Sequence, residues 1–351
     1  MVSPQDPGAP GEGTDVAAMT LAGPGGQPAA LSRGLVRRAV GRATGIPEMT
    51  LLVLCVVAFV VFTAANSGYA SGPNIESLFL TIVYTGIVAV GEAIVMIAGE
   101  FDLSVGSVAG MGAIVAGIFM TKVGLPVPLA IIGGIGAGAL AGLINAVVIV
   151  RVGIPAFVAT LSMLYMAQGV GYVLSGGDPV YPLPPDVATL ARTDILGIPS
   201  SIWVFLVVVL VADLVIRLTT LGRIVYATGG NPLTTRLAGI SIVKVKMLTF
   251  VLSGALASFG GIMLVSRLQR ADASIGLGWE LNVITACVVG GVALGGGLGT
   301  IAGVFLGLVL LQGVQQGLVI VGVDASLQPV VAGMILVGAV GFDLYRRRRM
   351  A

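Results

Sequence analysis

Acidic side chains standing in or beside apolar runs are the residues of this sequence best placed to do chemistry, and there are five: Glu92, Glu100, Asp102, Asp213 and Glu280. Burying such a group in hydrocarbon costs about 3 kcal/mol or more, so each is a candidate for a solute or ion path. Glu92, between Gly91 and Ala93, reads either as a buried hydrogen-bonding strut or as a pathway residue. Asp213 and Glu280 fall toward the ends of their runs, where a side chain can reach the interface. The densest polar cluster is GEFDLSVGS at 99–107. Asp102, Ser104 and Ser107 have the character of a helix start, because Asp and Ser accept from free N–H groups while Gly106 allows a close crossing. The candidates for a substrate path or a polar framework are therefore Glu92, Asp102, Ser104 and Glu280. None of this chemistry demands catalysis.

The chain contains no His, which removes the commonest general base and transition-metal ligand. No nucleophile–base pair or metal cluster is visible, so neither a catalytic residue nor a cofactor of the chain's own is expected. Cys55 and Cys287 lie in apolar stretches and read as small packing residues. A net charge of +2 gives no reason to expect nucleic acid. The three lysines, Lys122, Lys244 and Lys246, follow Thr, Val and Val, so there is no P-loop. If ATP drives this protein, another subunit must bind and hydrolyse it.

The elements that must position these residues are membrane helices. Apolar residues make up 56% of 351 positions and charged residues 10%, against a charged share of roughly 25% in soluble domains. A span needs about twenty apolar residues. On that length the expected spans are 49–66, 74–98, 104–120, 125–150, 154–174, 199–218, 247–266, 280–296, 299–320 and 326–344. The 99–103 and 297–298 junctions are short enough for a broken or re-entrant helix. Around this 46–345 membrane domain stand a Pro/Gly-rich tail at 1–45, expected to be disordered, and a basic tail at 346–351. With the N-terminus inside, fourteen Lys/Arg lie on the cytoplasmic side and four (Lys122, Arg192, Arg267, Arg270) outside. That bias puts both termini in the cytoplasm. Glycines such as Gly133, Gly134, Gly136, Gly138 and Gly142 would let helices approach closely.

One polar insert, 219–246, interrupts these spans on the cytoplasmic side. Asn231 is a good N-cap, Pro232 suits the first helical position and Gly239 can close the far end, which predicts about two turns of helix. A separate subunit would find its handle there.

Several motifs in order resemble the permease subunits of bacterial ATP-binding-cassette (ABC) importers for ribose and other simple sugars. They are GEFDLSVGS, PAFVATLSMLYMAQG at 155–169, GRIVYATGGN at 222–231 with Arg236 and Gly239, the Glu280 region, and GGVALGGGLGTIAG at 290–303. The chain departs from the usual pattern at Glu92, Glu100 and Phe101. The resemblance implies an all-α membrane protein of about ten helices, similar to the vitamin B12 permease type. It implies two permease subunits, identical or related, in the lipid of the bacterial inner membrane, with cytoplasmic ATPases and an extracytoplasmic sugar-binding protein. The insert would couple to the ATPase through Gly222, Arg223, Tyr226, Gly230, Asn231, Pro232, Arg236 and Gly239. The expected activity is import of a monosaccharide or similar polyhydroxylated solute by alternating access. Import of a nucleoside, polyol or sugar-like signal molecule is the alternative within this class, and an ion-coupled secondary transporter using Glu92 or Asp102 is the alternative outside it.

Overall fold

The structure, a computed structural model, describes residues 47–350. The expected tail at 1–45, with Arg33, Arg37, Arg38 and Arg42, lies outside the described residues. Helices of six residues or more are numbered here in chain order: α1 Pro47–Ala65, α2 Gly72–Ile97, α3 Val105–Thr121, α4 Val127–Val147, α5 Ala156–Ser175 and α6 Ser200–Leu218. There follow α7 Thr220–Gly230, α8 Pro232–Leu237, α9 Ile242–Leu268, α10 Trp279–Val289, α11 Ile301–Ile320 and α12 Gln328–Met350. A two-residue hairpin, β1 Asp194–Ile195 with β2 Ile198–Pro199, precedes α6. Among the described residues, seven helices are long and apolar enough to cross a membrane: α1, α2, α4, α5, α6, α9 and α11. Shorter apolar helices, α3, α10 and the 328–341 part of α12, stand where the other three spans are expected.

Burial sorts the helices. Every residue of α2 from Ile82 to Ile97 is buried, and α9 packs along α2, α3 and α4. On α1, α5 and α6 the large apolar residues face outward instead, among them Val56, Val60, Tyr165, Val173, Val207 and Leu210. So much exposed apolar surface is unstable in water and suits lipid.

One tight junction, 99–103, turns back between the two spans expected on either side of it, and one expected span is broken. After α2 the chain folds back, and the N–H of Asp102 reaches the carboxylate of Glu92, five residues inside the end of α2. The turn therefore comes back alongside the last turns of α2 before α3 begins at Val105. The expected span 280–296 is corrected. Its helix ends at Val289, where Gly290 and Gly291 turn the chain, and 292–300 is irregular. Depth is supplied from the other side by the irregular segment 271–278, which runs along α3. A Cβ on Gly106 would stand 2.2 Å from the carbonyl oxygen of Gly276, and one on Gly110 2.6 Å from that of Ile275. Irregular backbone is tolerated in lipid where protein covers it, as α3 covers Ile275 and Gly276. At the far end, the helical backbone of α12 continues to Met350, through the stretch read from sequence as a basic tail.

Candidate functional site

The end of α2 and the start of α3 enclose a small polar network. Glu92, Asp102, Ser104 and Asn145 are each at most 2% exposed. Both Glu92 carboxylate oxygens accept from the N–H of Asp102, at 3.0 and 3.3 Å. Asp102 Oδ1 accepts from the N–H of Ser104 at 2.9 Å, from its hydroxyl at 2.5 Å and from the Asn145 amide at 3.4 Å. Asn145 also donates to Ser104 Oγ at 3.0 Å. Ser104 is the residue before α3 and makes no side-chain cap bond, so Asp102 acts one step earlier than a cap, closing an Asx turn that aims the chain into α3. The helix-start reading of this cluster holds for its place and is corrected in its detail. Glu92 has the geometry of a strut.

Asn145 was not legible as a partner, although it is the only side chain with an amide or charge in α4. Glu100 pairs with Lys246 at the start of α9, and Asp213 pairs with Arg217 at 2.8 Å one turn on.

Glu280 stands apart. No hydrogen bond joins it to the network among the described residues, and its Oε2 has no partner among them. It occupies the first turn of α10, half-buried, above Gly106: a Cβ there would lie 2.4 Å from Glu280 Oε2. Next to it the side chain of Asn282 accepts from Gln315 of α11 at 3.2 Å. Glu280 and Asn282 stand two residues apart on α10 and so leave it on different faces, Glu280 toward Gly106 of α3 and Asn282 toward Gln315 of α11.

The insert is helical over more of its length than expected. Thr219 caps α7 through the N–H of Gly222, then Asn231 caps α8 by accepting from Thr234 at 3.0 Å, with Pro232 at the first position. Gly239, at φ +81°, turns the chain out of α8. Asn231, Pro232, Arg236 and Gly239 are exposed, as are Arg223 and Gly230, whereas Gly222 is buried and Tyr226 is half-buried with its hydroxyl donating to the carbonyl of Gly299. Leu233 and Leu237 are 69% and 80% exposed on the outer side of α8.

The family described as "Branched-chain amino acid transport system / permease component" matches residues 74–340. The L-arabinose ABC transporter permease protein of Azospirillum brasilense is 36% identical over 320 residues, covering 91% of this chain and 92% of that protein. The ribose import permease protein of Escherichia coli K12 is 33% identical over 317 residues, covering 88% and 96%. The autoinducer 2 import system permease protein of Salmonella typhi is 33% identical over 296 residues, covering 84% and 85%. With a match of that length and relatives along nearly the whole chain, this protein belongs to the family of transport-system permease components, the membrane subunits of ABC importers of the ribose and simple-sugar type.

Proposed function

We propose that this permease imports a monosaccharide, taking energy from separate ATPase subunits that grip α8. The observation that carries the coupling assignment is the outer surface of α8. Leu233 and Leu237 lie four residues apart, so they share one face, and both are largely exposed on a capped helix at a polar end of the bundle. Anchors at that spacing suit a helix seated in a groove of a partner. ATP is then bound by the partner, and this chain needs no cofactor.

In this reading the insert end faces the bacterial cytoplasm, with both termini there. It also carries Arg151, Arg217, Arg223, Arg236, Lys244 and Lys246, as the positive-inside rule favours. Ten segments, α1 to α6, α9, α10 together with the irregular 271–278 before it, α11 and α12, cross the inner membrane in the arrangement of the vitamin B12 permease type. Two copies, or this chain and a related one, pair in the lipid and receive solute from an extracytoplasmic binding protein. The substrate class rests on the relatives' names, L-arabinose and ribose. The autoinducer 2 permease supports the second reading, a sugar-like signal molecule. Along the path, Glu280, Asn282 and Gln315 offer the acceptors and donors that hydroxyl groups require, and Trp279 offers an apolar face.

Replacing both leucines, Leu233→Asp with Leu237→Asp, tests the coupling assignment. Burying even one unpaired carboxylate in a groove costs several kcal/mol, so the ATPase should no longer co-purify while the permease stays at its usual level in membranes. Retention of the ATPase at the level of the unaltered protein would contradict the assignment.

A further inference from the structure

Three segments that are far apart in sequence meet backbone to backbone beside the insert. The carbonyl oxygen of Ile97, at the end of α2, accepts from the N–H of Gly297 at 2.9 Å. Gly229, at the end of α7, packs into the same point: a Cβ on it would stand 1.9 Å from that oxygen and 2.6 Å from the Gly297 nitrogen. A Cβ on Gly297 would stand 2.4 Å from the Cα of Gly230, and one on Gly296 2.6 Å from the Cα of Gly99. Tyr226 braces the contact from α7, donating to the carbonyl of Gly299 at 2.6 Å. On the other flank, Lys246 at the start of α9 pairs with Glu100. The insert is thus held against the α2–α3 turn on both sides of α8.

We propose that this joint, made by Ile97, Gly229 and Gly297 and braced by Tyr226 and the Lys246–Glu100 pair, passes movement of α8 to α2 and to the loop before α11. The inference rests on the reading of α8 as the ATPase handle and goes beyond it by naming where the motion goes next. Contacts between side chains absorb a displacement by rotating through rotamers. A backbone contact with no Cβ between the partners has no such slack, so it transmits a displacement or breaks. Gly230 is followed directly by Asn231, the cap of α8, so the handle lies one residue from the joint. Beyond the joint, Gly99 and Glu100 lead to Asp102, whose N–H is held by Glu92, and on to the start of α3 with Gly106 beneath Glu280. The contacts are contiguous from the handle to the proposed path. The glycine block at 290–300 is then the seat of the insert and not a wall of the path, and Tyr226, Gly229 and Gly297 are positioning residues for transport.

The test uses the full complex of permease, ATPase and binding protein in vesicles, supplied with ATP and L-arabinose or ribose, and reads ATP hydrolysed per solute taken up, normalised to the ATPase retained. Tyr226→Phe removes one hydrogen bond and adds no atoms, so it spares the fold. It should raise the ATP used per solute by about two- to tenfold, the range of one lost hydrogen bond. Gly297→Ala, which forces the joint apart, should raise it further. Lys246→Glu should loosen coupling, and adding Glu100→Lys should restore it in part, which a defect in folding alone would not do. An unaltered complex that is tightly coupled, together with Tyr226→Phe and Lys246→Glu variants that are equally tight, overturns the joint alone. An unaltered complex that takes up neither sugar on ATP overturns the functional reading, and the inference with it.

Discussion

At the scale of single residues, the sequence marks where charge is expensive but not what satisfies it. Glu92 and Asp102 are legible because a carboxylate among Gly, Ala and Val is costly. Their partners are a backbone N–H, a serine two residues on and an amide forty-three residues away, and only folding brings the last of these close. Asp102 holds three donors on one oxygen. Asp102→Asn keeps an acceptor there, whereas Asp102→Ala strands buried donors at about 1–3 kcal/mol for the first left unpaired. Thermal unfolding of the purified permease should therefore show Ala well below Asn, with Asn supporting most of the transport. Equal and complete loss of transport in both would point to a titrating carboxylate instead. Glu280 differs because its Oε2 lacks a partner among the described residues. If it meets a solute hydroxyl, Glu280→Gln should lower uptake by about tenfold, the worth of a charged hydrogen bond, while the ATPase remains attached. Uptake unchanged in that variant would remove Glu280 from the path.

At the scale of elements, the long apolar runs, the caps and the tight 99–103 junction were legible, and the break inside 280–296 was not. The α8 helix follows from Asn231, Pro232 and Gly239 because capping is local chemistry. The expected 280–296 span failed because 290–296 is apolar enough to read as helix, while its glycines leave the helical region: Gly291 and Gly296 have φ +88° and +78°. Composition alone does not separate such a loop from a span. The glycines of α4 show the same limit. A Cβ on Gly142 would stand 2.1 Å from the carbonyl oxygen of Phe250 on α9, whereas one on Gly136 meets nothing within 4 Å. Gly142→Val should push α4 off α9 and destabilise the protein by about 1–3 kcal/mol, and Gly136→Ala should stay within about 0.5 kcal/mol. Thermal midpoints of the two variants in detergent compare them directly, and equal midpoints would contradict this packing.

At the scale of the whole molecule, the two ends of the bundle are built differently. One end holds the capped insert, the α2–α3 turn and the 290–300 loop in direct contact. At the other, Arg192 donates to the carbonyl of Arg267 and Val180 pairs with Ala271. Between them the two carboxylates that an ion-coupled transporter would use are occupied by donors of the chain itself. In the reading proposed above, energy arrives mechanically through the insert, so that the bundle opens to alternate sides. The direct test is uptake of L-arabinose or ribose by sealed vesicles holding the permease, its ATPase and its binding protein, with ATP or an imposed proton or sodium gradient as the only energy source. Uptake that requires ATP on the insert side and ignores the gradients is the predicted result; uptake that follows a gradient with no ATPase present would contradict it.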